Sequence, residues 1–114
     1  MTEWEKAQNG YLYDANYDRE IVESRTRCAD LCYKFNCCRP SDTKKQKQLL
    51  EQIFGNIKRN SVITAPFYCD YGFDFSTAGH AIDSKQRSQG LEIALPITVG
   101  DNVWIGTNVS VLRE

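Results

Sequence analysis

The chain has 114 residues, which is enough for one domain of ordinary size and short for two. Its 14 Lys and Arg against 15 Asp and Glu exclude the strongly basic surface that nucleic acids and anionic membranes attract. No apolar run approaches the roughly 18 residues of a membrane span, and the amino-terminal residues do not resemble a signal peptide, so we expect a cytoplasmic protein without nucleic-acid or membrane partners.

The amino-terminal half predicts three helices. A short helix over Thr2–Asn9 ends at Gly10, a residue type favoured just past a helix C-terminus. A long helix over Asp18–Phe35 is indicated because apolar side chains recur on one helical face and Asp18 is a good N-cap. Ser41 is the candidate N-cap of a third helix, which ends at Gly55.

A six-residue period runs from Ile93 to Val111. The first and fifth positions are branched aliphatics, and the second is small: Ile93, Val99, Ile105 and Val111; Ile97, Val103 and Val109; Ala94, Gly100 and Gly106. This period fits neither a strand nor a helix, but it fits short strands joined by corners in a chain that coils around its own core. Asn102 and Asn108 suit the corners, where left-handed dihedrals are needed. An ordinary hairpin with an Asp-Asn turn is the alternative.

Two regions follow from these patterns. Residues 1–56 form a helical segment, and residues 57–114 form a partial β-helix that a long loop at 76–92 interrupts. The loop is predicted from its polar residues and glycines, and it contains the only histidine, His80. The expected fold class is therefore mixed, with helices first and a parallel β-coil second.

Five cysteines are present, and an odd number without an export signal argues against a disulfide framework: Cys28, Cys32, Cys37, Cys38 and Cys69. A zinc module on the first four is a weak hypothesis, because a helical C-x-x-x-C lacks the tight knuckle of common zinc sites. We expect buried or surface thiols and no bound metal.

Several segments together resemble one family. They are Gly10–Asp14, Tyr33–Asn36, Arg39–Asp42, Leu50–Gly55, Pro66–Gly72, Thr77–His80, Gly90–Glu92 and Pro96–Gly106. This combination is similar to the maltose/galactoside O-acetyltransferases, which are hexapeptide-repeat acyltransferases. The resemblance covers nearly the whole chain, and the helical leader with the Tyr-Cys-Asp-Tyr-Gly and Ala-Gly-His segments separates it from other hexapeptide-repeat enzymes.

The resemblance implies a helical lid on a left-handed parallel β-helix, assembled as a homotrimer with sites between subunits. It implies an enzyme that moves an acetyl group from acetyl-CoA, its co-substrate, to a hydroxyl of a sugar such as maltose, glucose or a galactoside. Neither a metal nor a cysteine nucleophile is expected, because the hydroxyl attacks the thioester directly.

The resemblance also assigns roles to individual residues. His80 matches the catalytic histidine, and an imidazole near neutral pKa suits a base that takes the hydroxyl proton. Asp14 and Asp70 match positions that hold the sugar acceptor. Carboxylates suit this role because they accept hydrogen bonds from sugar hydroxyls. Trp104 and Thr107 match the neighbourhood of coenzyme A.

Compared with the family, the chain is internally shortened and C-terminally truncated. The family has about two more coils between Phe75 and Thr77, and it continues beyond Glu114 with further six-residue units. Because each coil buries its aliphatics only against neighbouring coils, the shortened coil leaves strand edges and core exposed. A catalytically inactive remnant that acts as an oligomerising module is therefore the alternative function.

Overall fold

The computed structural model describes residues 1–55, 61–69, 77–95 and 100–106. Over these ranges the elements in chain order are α1 (Glu3–Gln8), β1 (Tyr13–Asp14), α2 (Arg19–Asn36), α3 (Thr43–Phe54), β2 (Val62–Ile63), β3 (Thr77–His80), α4 (Ser84–Ser88), β4 (Leu91–Leu95) and β5 (Trp104–Ile105). Among the described helices, none has both the length and the apolar character needed to cross a membrane.

The three predicted helices are confirmed, and side chains define their ends. Thr2 and Glu5 form a capping box at the start of α1, and Asp18 accepts a hydrogen bond from the Ile21 amide at the start of α2. The predicted N-cap Ser41 is wrong by one residue, because the carboxylate of Asp42 accepts the Lys45 amide at 3.2 Å and caps α3 instead. Gly55 ends α3 with a positive φ of 72°.

The apolar faces of α2 and α3 meet to form the larger of the two hydrophobic clusters that the described residues make. It contains Cys28, Leu31, Cys32, Phe35, Leu49, Leu50 and Ile53. Ile63, Ala65, Phe67 and Cys69 pack against it from the segment 61–69, and the rings of Phe54 and Phe67 lie 5.4 Å apart. The helical hairpin therefore covers the segment that leads away from it, and this segment includes β2.

A side-chain clamp holds that segment in register. The Asn36 side chain donates from Nδ2 to the Phe67 carbonyl at 3.0 Å and accepts the Phe67 amide on Oδ1 at 2.7 Å. The carboxamide thus reproduces both hydrogen bonds of a strand partner at the end of α2.

The second cluster joins α1 to a three-stranded antiparallel sheet with the strand order β1-β4-β3. Glu3 connects the two, since its Oε2 accepts the Asp14 amide at 2.6 Å while Oε1 pairs with Lys6. The ion pair with Lys6 and the bond from Asp14 together hold the pKa of Glu3 below its ordinary value.

The predicted loop over 76–92 is not a loop where the structure describes it. It contains β3, α4 and the first residues of β4, and β3 pairs antiparallel with β4 from Thr77↔Leu95 to His80↔Glu92. Ile93 to Leu95, which we expected to resume the coil, instead belong to this sheet. Two strands of four and five residues are short enough for their polar positions to be mistaken for a loop.

A parallel pair of strands agrees with the coil. Val62 lies opposite Trp104 and Ile63 opposite Ile105, with the Val62 amide donating to the Val103 carbonyl at 2.8 Å. Parallel neighbours far apart in sequence are what successive turns of a coil produce. Asn102 has the positive φ of 57° predicted for a corner, whereas Asn108 lies outside the described residues.

We expect Asn36→Ala to lower the free energy of unfolding by about 1 to 2 kcal/mol, because it leaves the partly buried Phe67 amide and carbonyl without their partner. Urea denaturation measures this loss. Gln48→Ala, on the exposed face of α3, is the control and should change stability by less than about 0.5 kcal/mol. Equal losses in the two variants would contradict the clamp.

We expect Glu3→Gln to destabilise the protein by about 1 kcal/mol at neutral pH, a figure reduced for partial exposure. Because the pKa of Glu3 is lowered by folding, its contribution is present above the unfolded pKa and is lost as pH falls through the folded pKa. The difference in the free energy of unfolding between wild type and Glu3→Gln should therefore vanish once the pH falls below the folded pKa of Glu3. A difference that persists there would contradict the assignment, and Glu51→Gln on exposed α3 is the control.

Candidate functional site

The central feature of the three-stranded sheet is a row of three side chains, one from each strand. Tyr13 of β1 lies opposite Glu92 of β4, and Glu92 lies opposite His80 of β3. Directly opposed residues of antiparallel strands project to the same face, so the three side chains share one face. The row runs from buried Tyr13 through buried Glu92 to exposed His80.

Glu92 and His80 form an acid–imidazole pair with very different exposure. His80 Nδ1 lies 3.4 Å from Glu92 Oε1, the histidine side chain is 76% exposed, and the glutamate side chain is 9% exposed. A carboxylate beside Nδ1 favours the tautomer with the proton on that nitrogen, which leaves the lone pair on Nε2. The pair therefore sets an exposed imidazole beside a buried carboxylate.

The register of this pair depends on the connection from β3 to β4. The Arg87 guanidinium donates from Nη1 to the Ala81 carbonyl at 3.0 Å and to the Ile82 carbonyl at 2.7 Å. Gly90 follows α4 with a φ of 76°, and a Cβ there would approach the Asn16 side chain to 3.1 Å. Asn16 in turn donates from Nδ2 to the Gly90 carbonyl at 2.9 Å. A larger residue at 90 would thus displace β4 from β1.

Glu92 is the site residue that the sequence prediction missed. In the sequence Glu92 is only part of the Gly90–Glu92 motif and has no role of its own. A single acidic residue in a strand does not indicate which residue it will contact. The information needed was the antiparallel pairing that sets residues 80 and 92 opposite each other, 12 residues apart. No periodicity in the segment predicted that pairing.

The other predicted site residues have separate locations. Asp14 lies in β1 next to the row, and its Oδ1 accepts the amides of Asn16 at 3.3 Å and Tyr17 at 3.0 Å, so one oxygen is committed to a turn. Trp104 lies on β5 of the two-stranded sheet and is 75% exposed. Asp70 and Thr107 lie outside the described residues. The structure therefore brings His80 and Asp14 onto one sheet and places Trp104 on another.

A second cluster of reactive side chains lies between α2 and the segment 61–69. Cys69 Sγ is 3.1 Å from Cys28 Sγ and 3.8 Å from Cys32 Sγ. The thiols of Cys28 and Cys69 lower the pKa of Cys32 by hydrogen bonding, and hydrogen bonding to Cys28 and Cys32 together with burial raises the pKa of Cys69.

The zinc hypothesis drawn from the sequence grouped Cys37 and Cys38 with Cys28 and Cys32, but the structure does not bring those two side chains into the cluster. Cys37 is exposed, and Cys38 Sγ donates to the Lys34 carbonyl at 3.2 Å. Cys69, 41 residues from Cys28, joins Cys28 and Cys32 instead. Only the packing of the segment 61–69 on α2 brings them together.

Comparisons with known proteins identify relatives of both halves. A family model described as the maltose acetyltransferase hexapeptide capping motif matches residues 6–58. A Staphylococcus haemolyticus protein, named a "putative acetyltransferase", is 35% identical over 97% of this chain and 76% of its own length. That alignment extends over 145 residues, so the relative carries segments that the 114 residues of this chain lack.

Two solved structures share the fold over 91% of this chain. A maltose O-acetyltransferase from Clostridium difficile matches with a TM-score of 0.77 and 29% identity over 73% of its chain. A galactoside acetyltransferase in complex with coenzyme A matches with a TM-score of 0.73 and 25% identity over 68% of its chain.

Proposed function

Since the chain belongs to the family of maltose and galactoside O-acetyltransferases, we propose that it transfers the acetyl group of acetyl-CoA to a hydroxyl of a sugar. The observation that carries this proposal is the pair of His80 and Glu92, because direct acyl transfer to a hydroxyl needs one base and no enzyme nucleophile. A maltose or galactoside acceptor is proposed from the names of the two solved structures, and glucose is proposed from the family resemblance alone.

In the proposed reaction His80 Nε2 takes the proton of the sugar hydroxyl as the oxygen attacks the thioester carbonyl of acetyl-CoA. The carbon–sulfur bond breaks when the tetrahedral intermediate collapses, and the coenzyme A thiolate recovers the proton from His80. Glu92 keeps the Nδ1 proton in place and stabilises the imidazolium that forms between these steps. The acetyl ester and free coenzyme A are the products.

The substrates are assigned to sites between subunits. Because Asp14 follows Tyr13 in β1, its side chain and that of His80 leave opposite faces of one chain's sheet, so a sugar on Asp14 is proposed to meet His80 of a neighbouring subunit. We propose that the sugar is held by Asp14, whose second carboxylate oxygen is not used by the turn at Asn16 and Tyr17, and by Asp70. Acetyl-CoA is proposed to lie along the coil near Trp104 and Thr107, because the galactoside acetyltransferase of similar fold is a coenzyme A complex. The exposed Trp104 ring offers a flat surface for such a ligand.

The proposed assembly follows from the same family. Residues 57–114 would form a shortened left-handed parallel β-helix, for which the β2–β5 pairing is the support within the described residues. A homotrimer would cover coil surfaces that a single shortened coil leaves exposed, and it would place sugar and acetyl-CoA between subunits. The cytoplasm, where acetyl-CoA is made and used, is the proposed location.

We expect His80→Ala to lower kcat for acetyl transfer by roughly 10²- to 10⁴-fold with little change in binding of acetyl-CoA, because only the base is removed. Acetylated maltose, glucose or galactoside should be detected by mass, since the five thiols of the chain would react in a thiol-reagent assay. Glu92→Gln should lower kcat by on the order of 10-fold to 100-fold and shift the pH profile, as expected for a residue that acts through His80.

Lys85→Ala is the matched control and should retain full activity. Lys85 is exposed on α4, which lies between His80 and Glu92 in the sequence. Product formation that survives His80→Ala would refute the assigned base. Folded wild-type protein that yields no acetylated sugar would favour the oligomerising remnant, and sedimentation of the same sample would test that role.

We expect Trp104→Ala to raise the Kd for coenzyme A by roughly 10-fold, the effect of losing one well-packed aromatic contact. Isothermal titration calorimetry measures the change. Tyr68→Ala is the control, because Tyr68 is about as exposed as Trp104 but lies on the segment 61–69, outside β5. Equal losses in the two variants would place coenzyme A elsewhere.

A further inference from the structure

The cluster of Cys28, Cys32 and Cys69 has no part in the proposed transfer reaction, and none of its members lies on the sheet with His80 and Glu92. All three Sγ atoms lie within 4.8 Å of one another. We propose that they form a three-thiolate site for one soft divalent cation, of which zinc is the biological candidate.

The sulfur spacing is close to that of a metal site. Zn–S bonds of about 2.3 Å at tetrahedral angles place neighbouring sulfurs about 3.8 Å apart. The Cys32–Cys69 distance is 3.8 Å, and the Cys28–Cys69 distance of 3.1 Å would have to open by about 0.7 Å to match the spacing at tetrahedral zinc. A side-chain rotation supplies such a change without moving the backbone.

The positions of the ligands are already determined by the fold. Cys28 and Cys32 lie one turn apart on the buried face of α2, and both are 2% exposed. Asn36, one turn further along the same helix, holds Phe67 through two hydrogen bonds and so places Cys69 over the two helical thiols. Common zinc sites place two ligands on a tight turn, which a helical C-x-x-x-C does not have. Here Cys69, from a second segment of the chain, supplies the ligand that such a turn would otherwise provide.

A cavity gives access to the fourth coordination position. It has a volume of about 620 Å³, and Cys32 and Cys69 lie in its wall with Tyr33, Cys37 and Tyr68. Cys37 lies outside the group of described sulfurs within 4.8 Å of one another, so it does not supply a fourth sulfur. A water molecule from the cavity can take the fourth position of a tetrahedral site instead.

The charge balance is simple. Binding of one Zn²⁺ replaces three thiol protons, which pass to solvent or buffer, and no oxidation state changes. The resulting three thiolates and one dication carry a net charge of −1 beside the cavity. A disulfide between Cys28 and Cys69 is the competing outcome; it needs a peroxide-type oxidant and leaves Cys32 as a buried thiol.

The proposed ion links parts of the chain that are distant in sequence. Cys28 and Cys69 are 41 residues apart, so the site would join α2 to the segment 61–69, which contains β2. An ion that binds the folded chain in preference to the unfolded one stabilises the folded state and should raise the melting temperature when zinc is present.

The test uses the full chain, purified with reductant and freed of metal by a chelator. Cadmium titration should give a thiolate-to-metal charge-transfer band that saturates at one ion per chain, and cadmium, the softer ion, should displace zinc from the same site. Cobalt should give the absorption of a tetrahedral thiolate site. Cys69→Ser should weaken zinc binding by roughly 100-fold or more, and Cys28→Ser should do the same.

Cys37→Ser is the matched control, because Cys37 lies in the same cavity wall but outside the cluster, and its zinc affinity should stay within about twofold of wild type. A second measurement uses wild-type protein only, so it does not depend on whether a variant folds. Zinc should slow the alkylation of Cys28, Cys32 and Cys69 relative to the metal-free protein, but not that of Cys37 or Cys38. Mass spectrometry locates the alkylated cysteines.

Three results would overturn the proposal. The first is an absence of cadmium or zinc binding at micromolar concentration by folded wild-type protein. The second is a loss of affinity in Cys37→Ser equal to that in Cys69→Ser, or protection of Cys37 and Cys38 in place of the cluster. The third is ready formation of a Cys28–Cys69 disulfide by peroxide in protein that binds no cadmium.

Discussion

The antiparallel register of β4 between β1 and β3 is the constraint on which the candidate site depends. A shift of one residue would turn the buried carboxylate of Glu92 to the opposite face and separate it from His80. Several local contacts oppose that shift. Asn16 binds the Gly90 carbonyl, Arg87 binds the carbonyls of residues 81 and 82, and Glu3 holds the amide of Asp14.

A second set of contacts joins the helical hairpin to the strand that begins the proposed coil. Asn36 binds Phe67 at both backbone groups, and the cysteine cluster lies one turn away on the same helix. The helices therefore do more than cover apolar surface. They position the segment 61–69, and through it β2, which pairs with β5 and Trp104.

The helices and most of their ends were predictable because their signals are local, although the N-cap of α3 is Asp42 and not Ser41. Asp18 and Gly55 act within one turn of themselves, and the apolar face of α2 repeats every three to four residues. The antiparallel sheet was not predictable in the same way. Strands of four and five residues separated by α4 contain too few alternations to be distinguished from a polar loop, and their pairing with β1 spans most of the chain.

The sequence by itself determined the family, the helical amino-terminal half and the corner at Asn102, and it pointed to His80 as the proposed base, because each depends on a motif or on the preference of a few neighbouring residues. Tertiary structure alone decided which groups meet. Glu92 became the partner of His80 through strand pairing, and Cys69 joined Cys28 and Cys32 through packing of the segment 61–69 on α2. Such contacts depend on backbone hydrogen bonds and burial between distant residues, and these leave no pattern along the chain.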